Sequence, residues 1–125
     1  MSAIPEIEKT GSVLVIEDND ALNGLFRRML QSAGFAVEGV TSIEKARLHL
    51  QDSVPQVIIL DIDLEDGNGL EIVRTIEELK HDDVKIVVVS GYAYSPESLA
   101  LERIDYQLMK PVSPRGLMAL VQMLQ

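Results

Sequence analysis

The sequence predicts a single α/β domain built on a five-stranded parallel sheet with helices on both faces, a doubly wound arrangement. Two observations predict it. The first is a set of three short, unbroken apolar runs: Val13-Leu-Val-Ile16, Val57-Ile-Ile-Leu60 and Ile86-Val-Val-Val89. They are mostly β-branched and do not alternate with polar residues, which is the composition of strands buried on both faces. The second is helical spacing of apolar residues between those runs, so that strand and helix alternate in units of about 20 to 30 residues. Such alternation requires right-handed crossovers between parallel strands. At 125 residues the chain is one domain, long enough to bury a core.

Residues 1–11 precede the first run and lack a basic segment followed by a long apolar one, so they are expected to be a short, partly disordered lead-in and not a secretory signal. After Val13–Ile16, the residues Leu22, Leu25, Phe26, Met29, Leu30 and Ala33 form one apolar stripe, and Gly34 stands where a helix-terminating glycine belongs. The segment from Phe35 to Val40 is less apolar and contains Gly39, which places it at a sheet edge. Thr41-Ser-Ile-Glu44 reads as a capping box opening a second helix with Ile43, Ala46 and Leu50 on its buried face. Leu70, Val73 and Ile76 mark a third helix. Ser95-Pro96 and Ser113-Pro114 each place a capping serine before a proline suited to the first helical turn. Tyr106–Met109 is the fifth strand candidate, and Leu117, Leu120, Val121 and Leu124 line the last helix.

Composition excludes several function classes. With no cysteine there are no disulfides and no thiolate metal sites, a usage that fits a cytoplasmic protein. Lys and Arg total 11 against 20 Asp and Glu, a net charge of −9, so direct nucleic-acid binding by this domain is not expected. No apolar run approaches the roughly 18 residues that span a bilayer. An acidic surface suits metal cations or basic partners instead.

The polar residues collect where an open α/β sheet binds ligands, beyond the carboxyl ends of its strands. Glu17-Asp18 ends the first strand, Asp61 the third with Asp63 two further on, Ser90-Gly91 the fourth, and Lys110-Pro111 the fifth. Each group alone is weak, since acidic pairs often cap helices and a lysine is usually at the surface. Together they place carboxylates, a hydroxyl and an ammonium on one rim. Clustered carboxylates repel unless a cation neutralises them, and an oxygen-only donor set suits Mg²⁺. A metal beside an aspartate, a hydroxyl and a lysine points to phosphoryl chemistry, with Asp61 the natural nucleophile.

These residues resemble the receiver domain of two-component response regulators, the CheY-like family, over residues 12–125. The resemblance rests on Glu17-Asp18, Asp61, Gly69 eight residues later, Ser90 and Lys110-Pro111. It implies the flavodoxin-like (βα)5 fold with strand order 2-1-3-4-5. It implies that Asp61 accepts phosphate from a sensor histidine kinase or a histidine phosphotransferase. Mg²⁺ would be held by Asp18, Asp61 and the backbone carbonyl of Asp63, with Glu17 acting through water. Ser90 would move to bond the phosphoryl group and Lys110 would pair with it, across a cis Lys110–Pro111 bond. A homodimer or effector surface is implied on the fourth helix, fifth strand and fifth helix, residues 96–125, where Leu99, Leu101, Met118 and Met123 are candidate contacts. Asp63 and Tyr92, each two residues beyond a site residue, are expected to tune the lifetime of the phosphorylated state.

The sequence also departs from the family. Glu17 replaces the commoner aspartate, while Glu65 and Asn68 alter the loop after Asp61. Gln107 stands three residues before Lys110, where many receivers carry a switch aromatic. Tyr106 is one residue away and should face the other side of the strand. Two other readings remain open at this point: a receiver-like interaction module that does not use phosphate, and a haloacid-dehalogenase-type phosphatase with Asp61, Asp63, Ser90 and Lys110 in its site. The latter normally carries its Asp-x-Asp strand first, with acidic residues after the lysine. His49 and His81 are expected at the surface, with no part in phosphotransfer.

Overall fold

A computed structural model describes residues 12–124; the lead-in at residues 1–11 lies outside the described residues. In chain order the elements are β1 (Ser12–Ile16), α1 (Asp20–Ser32), β2 (Ala36–Val40), α2 (Ile43–Asp52), β3 (Val57–Asp61), the two-residue strands β4 (Asp63–Leu64) and β5 (Gly67–Asn68), α3 (Leu70–Glu78), β6 (Lys85–Ser90), α4 (Pro96–Leu101), β7 (Tyr106–Met109) and α5 (Pro114–Met123). The main sheet runs β2-β1-β3-β6-β7 and is parallel throughout. Setting aside the small antiparallel ribbon of β4 and β5, this is the expected 2-1-3-4-5 order. The chain leaves β1 for one edge and then returns to its other side at β3. The resulting switch point opens a crevice beyond the ends of β1 and β3.

The apolar runs divide their residues between two layers because successive strand side chains point to opposite faces. Leu14, Ile16, Ile58, Leu60, Ile86 and Val88 pack with Ile43, Ala46 and Leu50 of α2 and with Ile72, Val73 and Ile76 of α3. Val13, Val15, Val57, Ile59, Val87 and Val89 pack on the other face with Phe26 and Leu30 of α1 and with Leu117 and Val121 of α5. Both faces are covered, which explains why these strands carry no polar alternation.

Several local expectations are corrected. The stripe on α1 is narrower than the sequence suggests: Leu25 and Ala33 are exposed, whereas Asn23 and Gly24 are buried beside Phe26 and Leu30. Asn23 belongs inside because its amide is fully used by the backbone, as described below. The cap of α2 is shifted by one residue. Ser42, not Thr41, accepts from Lys45 N at 3.1 Å, and Thr41 Oγ1 accepts from Lys45 Nζ. Asp66, distant in sequence, completes that helix start by accepting from Ile43 N and Glu44 N. The ribbon of β4 and β5 has no apolar run to announce it. The two histidines are half-buried: His49 Nε2 lies 3.1 Å from Ser53 Oγ, and His81 Nε2 is enclosed by protein.

Other signals are met directly. Gly34 has φ +101°, and the N–H groups of Gly34 and Phe35 return to the carbonyls of Gln31 and Leu30, closing α1. Ser95 and Ser113 cap α4 and α5 through Ser98 N and Gly116 N, each with proline in the first turn. Caps of this kind contribute about 1 kcal/mol each.

Candidate functional site

Asp61 closes β3, the central strand of the sheet. Its strand is paired on both sides, and the residue itself is only 3% exposed. The chain is pinned immediately after it: Ile62 N donates to Val89 O at 3.1 Å, and Gly69 N donates to Ile62 O at 2.8 Å. Asp61 Oδ1 accepts from Asp63 N at 3.0 Å and from Lys110 Nζ at 3.1 Å. Gly69 sits directly behind this strand end. A Cβ there would run into the Asp61 carbonyl oxygen and lie 3.1 Å from Ile62 Cα, so only glycine lets the two segments meet.

The acidic pair is held by a residue that apolar patterning hides. Asn23, 2% exposed, donates through Nδ2 to Glu17 O at 3.0 Å and to Val40 O at 2.9 Å, and its Oδ1 accepts from Arg27 Nε at 2.9 Å. It ties the ends of β1 and β2 together where Glu17 and Asp18 leave the sheet. Gly39 on β2 makes the room, since a Cβ there would collide with Asn23 Oδ1 and the Arg27 side chain. The signal available in the sequence was a polar residue within α1 opposite a glycine in the edge strand. Asn19 opens α1 by accepting from Leu22 N, and its own N–H donates to Glu17 Oε2 at 3.1 Å. Asp18 Oδ2 accepts from Glu65 N at 3.0 Å.

Ser90 ends β6, fully buried, and Lys110 follows β7 across a cis bond to Pro111. The Ser90 hydroxyl donates to Tyr92 O at 2.6 Å and accepts from Tyr92 N at 3.1 Å. Glu17, Asp18, Asp61, Asp63 and Lys110 line one open cleft of about 600 Å³, floored by Val89 and bordered by Leu22 and Pro111. Of the residues expected at the site, the structure brings these five together; Ser90 is adjacent but faces its own loop.

Glu17, Asp18 and Asp61 each offer a carboxylate oxygen within 4.8 Å of the others. Three hard oxygens so close, with no nitrogen or sulfur donor among them, fit a Mg²⁺-like ion. Electrostatics agree. Burial, followed by the charge of Asp61 and hydrogen bonds with Asp61 and Asp18, pushes the Glu17 carboxyl up to about 7 against the opposing Asn19 N–H. Burial lowers the Lys110 ammonium, but the hydrogen bond and charge of Asp61, with Glu17 and Asp63 behind it, outweigh this and hold it above its ordinary value. The site is therefore short of positive charge.

The Glu17 shift has a sign in stability. A carboxyl raised in the folded state favours folding at low pH, and that contribution is lost as pH rises from 4.5 to about 7. The metal-free protein is expected to melt at a lower temperature at pH 8 than at pH 5, and Glu17→Gln should flatten the difference. Thermal melts followed by circular dichroism check this.

The sequence model for the response regulator receiver domain matches residues 13–122. The chain belongs to this family. The receiver domain is 30% identical over 109 residues to the photosynthetic apparatus regulatory protein RegA of Rhodobacter capsulatus, covering 85% of this chain and 58% of that protein. It is 29% identical over 111 residues to the acid tolerance regulatory protein ActR of Rhizobium meliloti, covering 86% and 56%. It thus spans somewhat over half the length of these relatives. The polar-differentiation response regulator DivK of Brucella ovis is 27% identical over 113 residues, covering 83% of this chain and 87% of that protein. In three dimensions it is similar to the chemotaxis response regulator CheY4 of Vibrio cholerae, with TM-score 0.84, 23% identity, and coverage of 94% and 100%. A receiver domain from Methanospirillum hungatei gives TM-score 0.81 at 24% identity, covering 92% and 93%. Family membership sets aside the haloacid-dehalogenase reading. A receiver domain is a signalling module and not a classical enzyme.

The departure at Gln107 has a structural counterpart. Its side chain, half-buried, is paired with the loop before α4, while Tyr106 faces the other side of β7 and is 42% exposed. On the α4–β7–α5 side, Leu101 and Met123 are exposed at 85% and 74%, as are Tyr106 and Met109. Leu99 and Met118 are partly buried, and Leu99 packs against the core. No helix among the described residues is long and apolar enough to cross a membrane.

Proposed function

We propose that this receiver domain is phosphorylated on Asp61 in a Mg²⁺-dependent reaction and that the phosphoryl group switches its partner binding. The observation that carries the proposal is the placement of a buried carboxylate at the end of β3, paired with Lys110 and within ligand distance of Glu17 and Asp18. In the reaction an Asp61 carboxylate oxygen forms a bond to phosphorus. The bond from phosphorus to the donor, a histidine nitrogen of a sensor kinase or phosphotransferase, breaks and its electron pair leaves with the imidazole. The product is an acyl phosphate.

Asp18, Asp61 and the Asp63 carbonyl would hold Mg²⁺, with Glu17 acting through water. The ion would offset the charge of these carboxylates and of the phosphoryl oxygens. Lys110 neutralises a second part of that charge, and Ser90 supplies a hydroxyl once released from Tyr92. Because binding needs Glu17 ionised, Mg²⁺ affinity should rise with pH through about 7. Asp63 and Tyr92 are assigned to timing: Asp63 is exposed beside the site and its charge reaches Lys110 and Tyr94. The partner surface is assigned to α4, β7 and α5, for a homodimer or an effector, and the setting is cytoplasmic.

Incubation with acetyl phosphate and Mg²⁺, followed by intact-mass spectrometry, tests the proposal. One phosphoryl group should be gained, and chelation of the metal should prevent it. Asp63→Asn and Tyr92→Ala should each change the rate at which the adduct decays. Absence of any adduct would leave a receiver-like module that works without phosphate.

A further inference from the structure

Two side chains hold the loop between β6 and α4 from two different strands. From β6, the Ser90 hydroxyl makes both of its hydrogen bonds to Tyr92, at the carbonyl and at the N–H. From β7, the Gln107 amide does the same to Tyr94: Oε1 accepts from Tyr94 N at 2.7 Å, and Nε2 donates to Tyr94 O at 2.8 Å. Gln107 reaches this loop because it pairs in register with Val88 on the face toward α4, and the Tyr94 ring packs against the core on that same face. Both main-chain groups of Tyr94 are thereby satisfied by one rigid, planar amide.

We infer that Gln107 is a positioning residue for phosphotransfer, one that clamps Tyr94 and so holds the Tyr92 carbonyl where it retains the Ser90 proton. This rests on the phosphoacceptor reading of Asp61. The argument is one of hydrogen-bond supply. A serine hydroxyl has one proton, and here it is given to Tyr92 O. To donate to an oxygen on Asp61, Ser90 must leave that carbonyl. The Tyr92 carbonyl then needs a new partner, yet its neighbour two residues on is fixed to β7. The Gln107 clamp opposes Ser90's departure in the resting protein and must loosen when Asp61 carries a phosphoryl group. The clamp thus couples Ser90, at the end of β6, to β7 through side-chain bonds to the main chain of the loop between them, with no swinging aromatic side chain at position 107.

Two measurements test this. In the wild-type protein, nuclear magnetic resonance should show the Gln107 side-chain amide and the Tyr94 backbone amide shifting when Mg²⁺ and fluoroberyllate, a mimic of the acyl phosphate, are added. Gln107→Met keeps the side-chain length and removes both hydrogen bonds. It should raise the rate of phosphorylation by acetyl phosphate about thirtyfold, the scale of two lost net hydrogen bonds. Gln107→Glu, which keeps the acceptor and loses the donor, should fall between. An unchanged or slower rate in folded Gln107→Met overturns the inference. So do unmoved Gln107 and Tyr94 signals while those around Asp61 shift, a result that needs no variant and leaves the phosphoacceptor reading standing. If nothing around Asp61 responds to either reagent, that reading fails and the inference falls with it.

Discussion

Gly69→Ala is expected to cost about 1 to 3 kcal/mol of folding stability, the range of overpacking in a close-packed interior. It should also remove most phosphoryl uptake. The added Cβ would meet backbone on both sides, the Asp61 carbonyl oxygen and Ile62 Cα, and neither can rotate away. Relief has to come from moving the end of β3 or the start of α3. Either movement loosens the bond from Gly69 N to Ile62 O and shifts the Asp61 carboxylate from Lys110. Urea melts would give the stability change, and the acetyl phosphate reaction the functional one. A wild-type-like Gly69→Ala protein would mean that the segments are not held at this distance in solution.

Lys110→Met is expected to slow phosphorylation by about a hundredfold, the usual loss when one preorganised charge stabiliser is removed from a phosphoryl or acyl transfer site. Lys110 Nζ lies 3.1 Å from Asp61 Oδ1, and it is the ammonium paired directly with that buried carboxylate. Mg²⁺ binding should move the other way. Removing a cation from a crowded acidic cluster leaves the metal less opposed, so affinity for Mg²⁺ should tighten. Rate and affinity changing in opposite directions would separate charge stabilisation from general damage, which would weaken both.

The sheet was legible because its three inner strands need nothing but apolar residues. Val13–Ile16, Val57–Leu60 and Ile86–Val89 are covered on both faces, so burial dictates the composition and the composition announces the strand. The rim was legible for a related reason, since the point where each run turns polar is the strand end. Asn23 was not, because a buried amide satisfied by two carbonyls looks in sequence like a solvent-facing residue on an amphipathic helix. The start of α2 was misplaced by one residue because Thr41 and Ser42 are both good caps, and the deciding contact comes from Asp66 across a loop. Gln107 was visible as a departure, but its partner is the main chain of Tyr94, and a backbone group has no signature in sequence. Leu101 and Leu99 sit two residues apart on α4, yet one is 85% exposed and the other packs on the core. A helix of six residues is too short for periodicity to tell them apart.

The central claim is that Asp61, and not another carboxylate of the cleft, receives the phosphoryl group. An acyl phosphate is electrophilic at its carbonyl carbon, so borohydride reduces it to an alcohol and converts the aspartate carrying it into homoserine. The protein treated with acetyl phosphate and Mg²⁺, reduced and then mapped by peptide mass spectrometry should show homoserine at position 61, with Glu17, Asp18 and Asp63 intact. Homoserine at position 18 or 63, or a phosphorylated protein with no reduced residue, would contradict it.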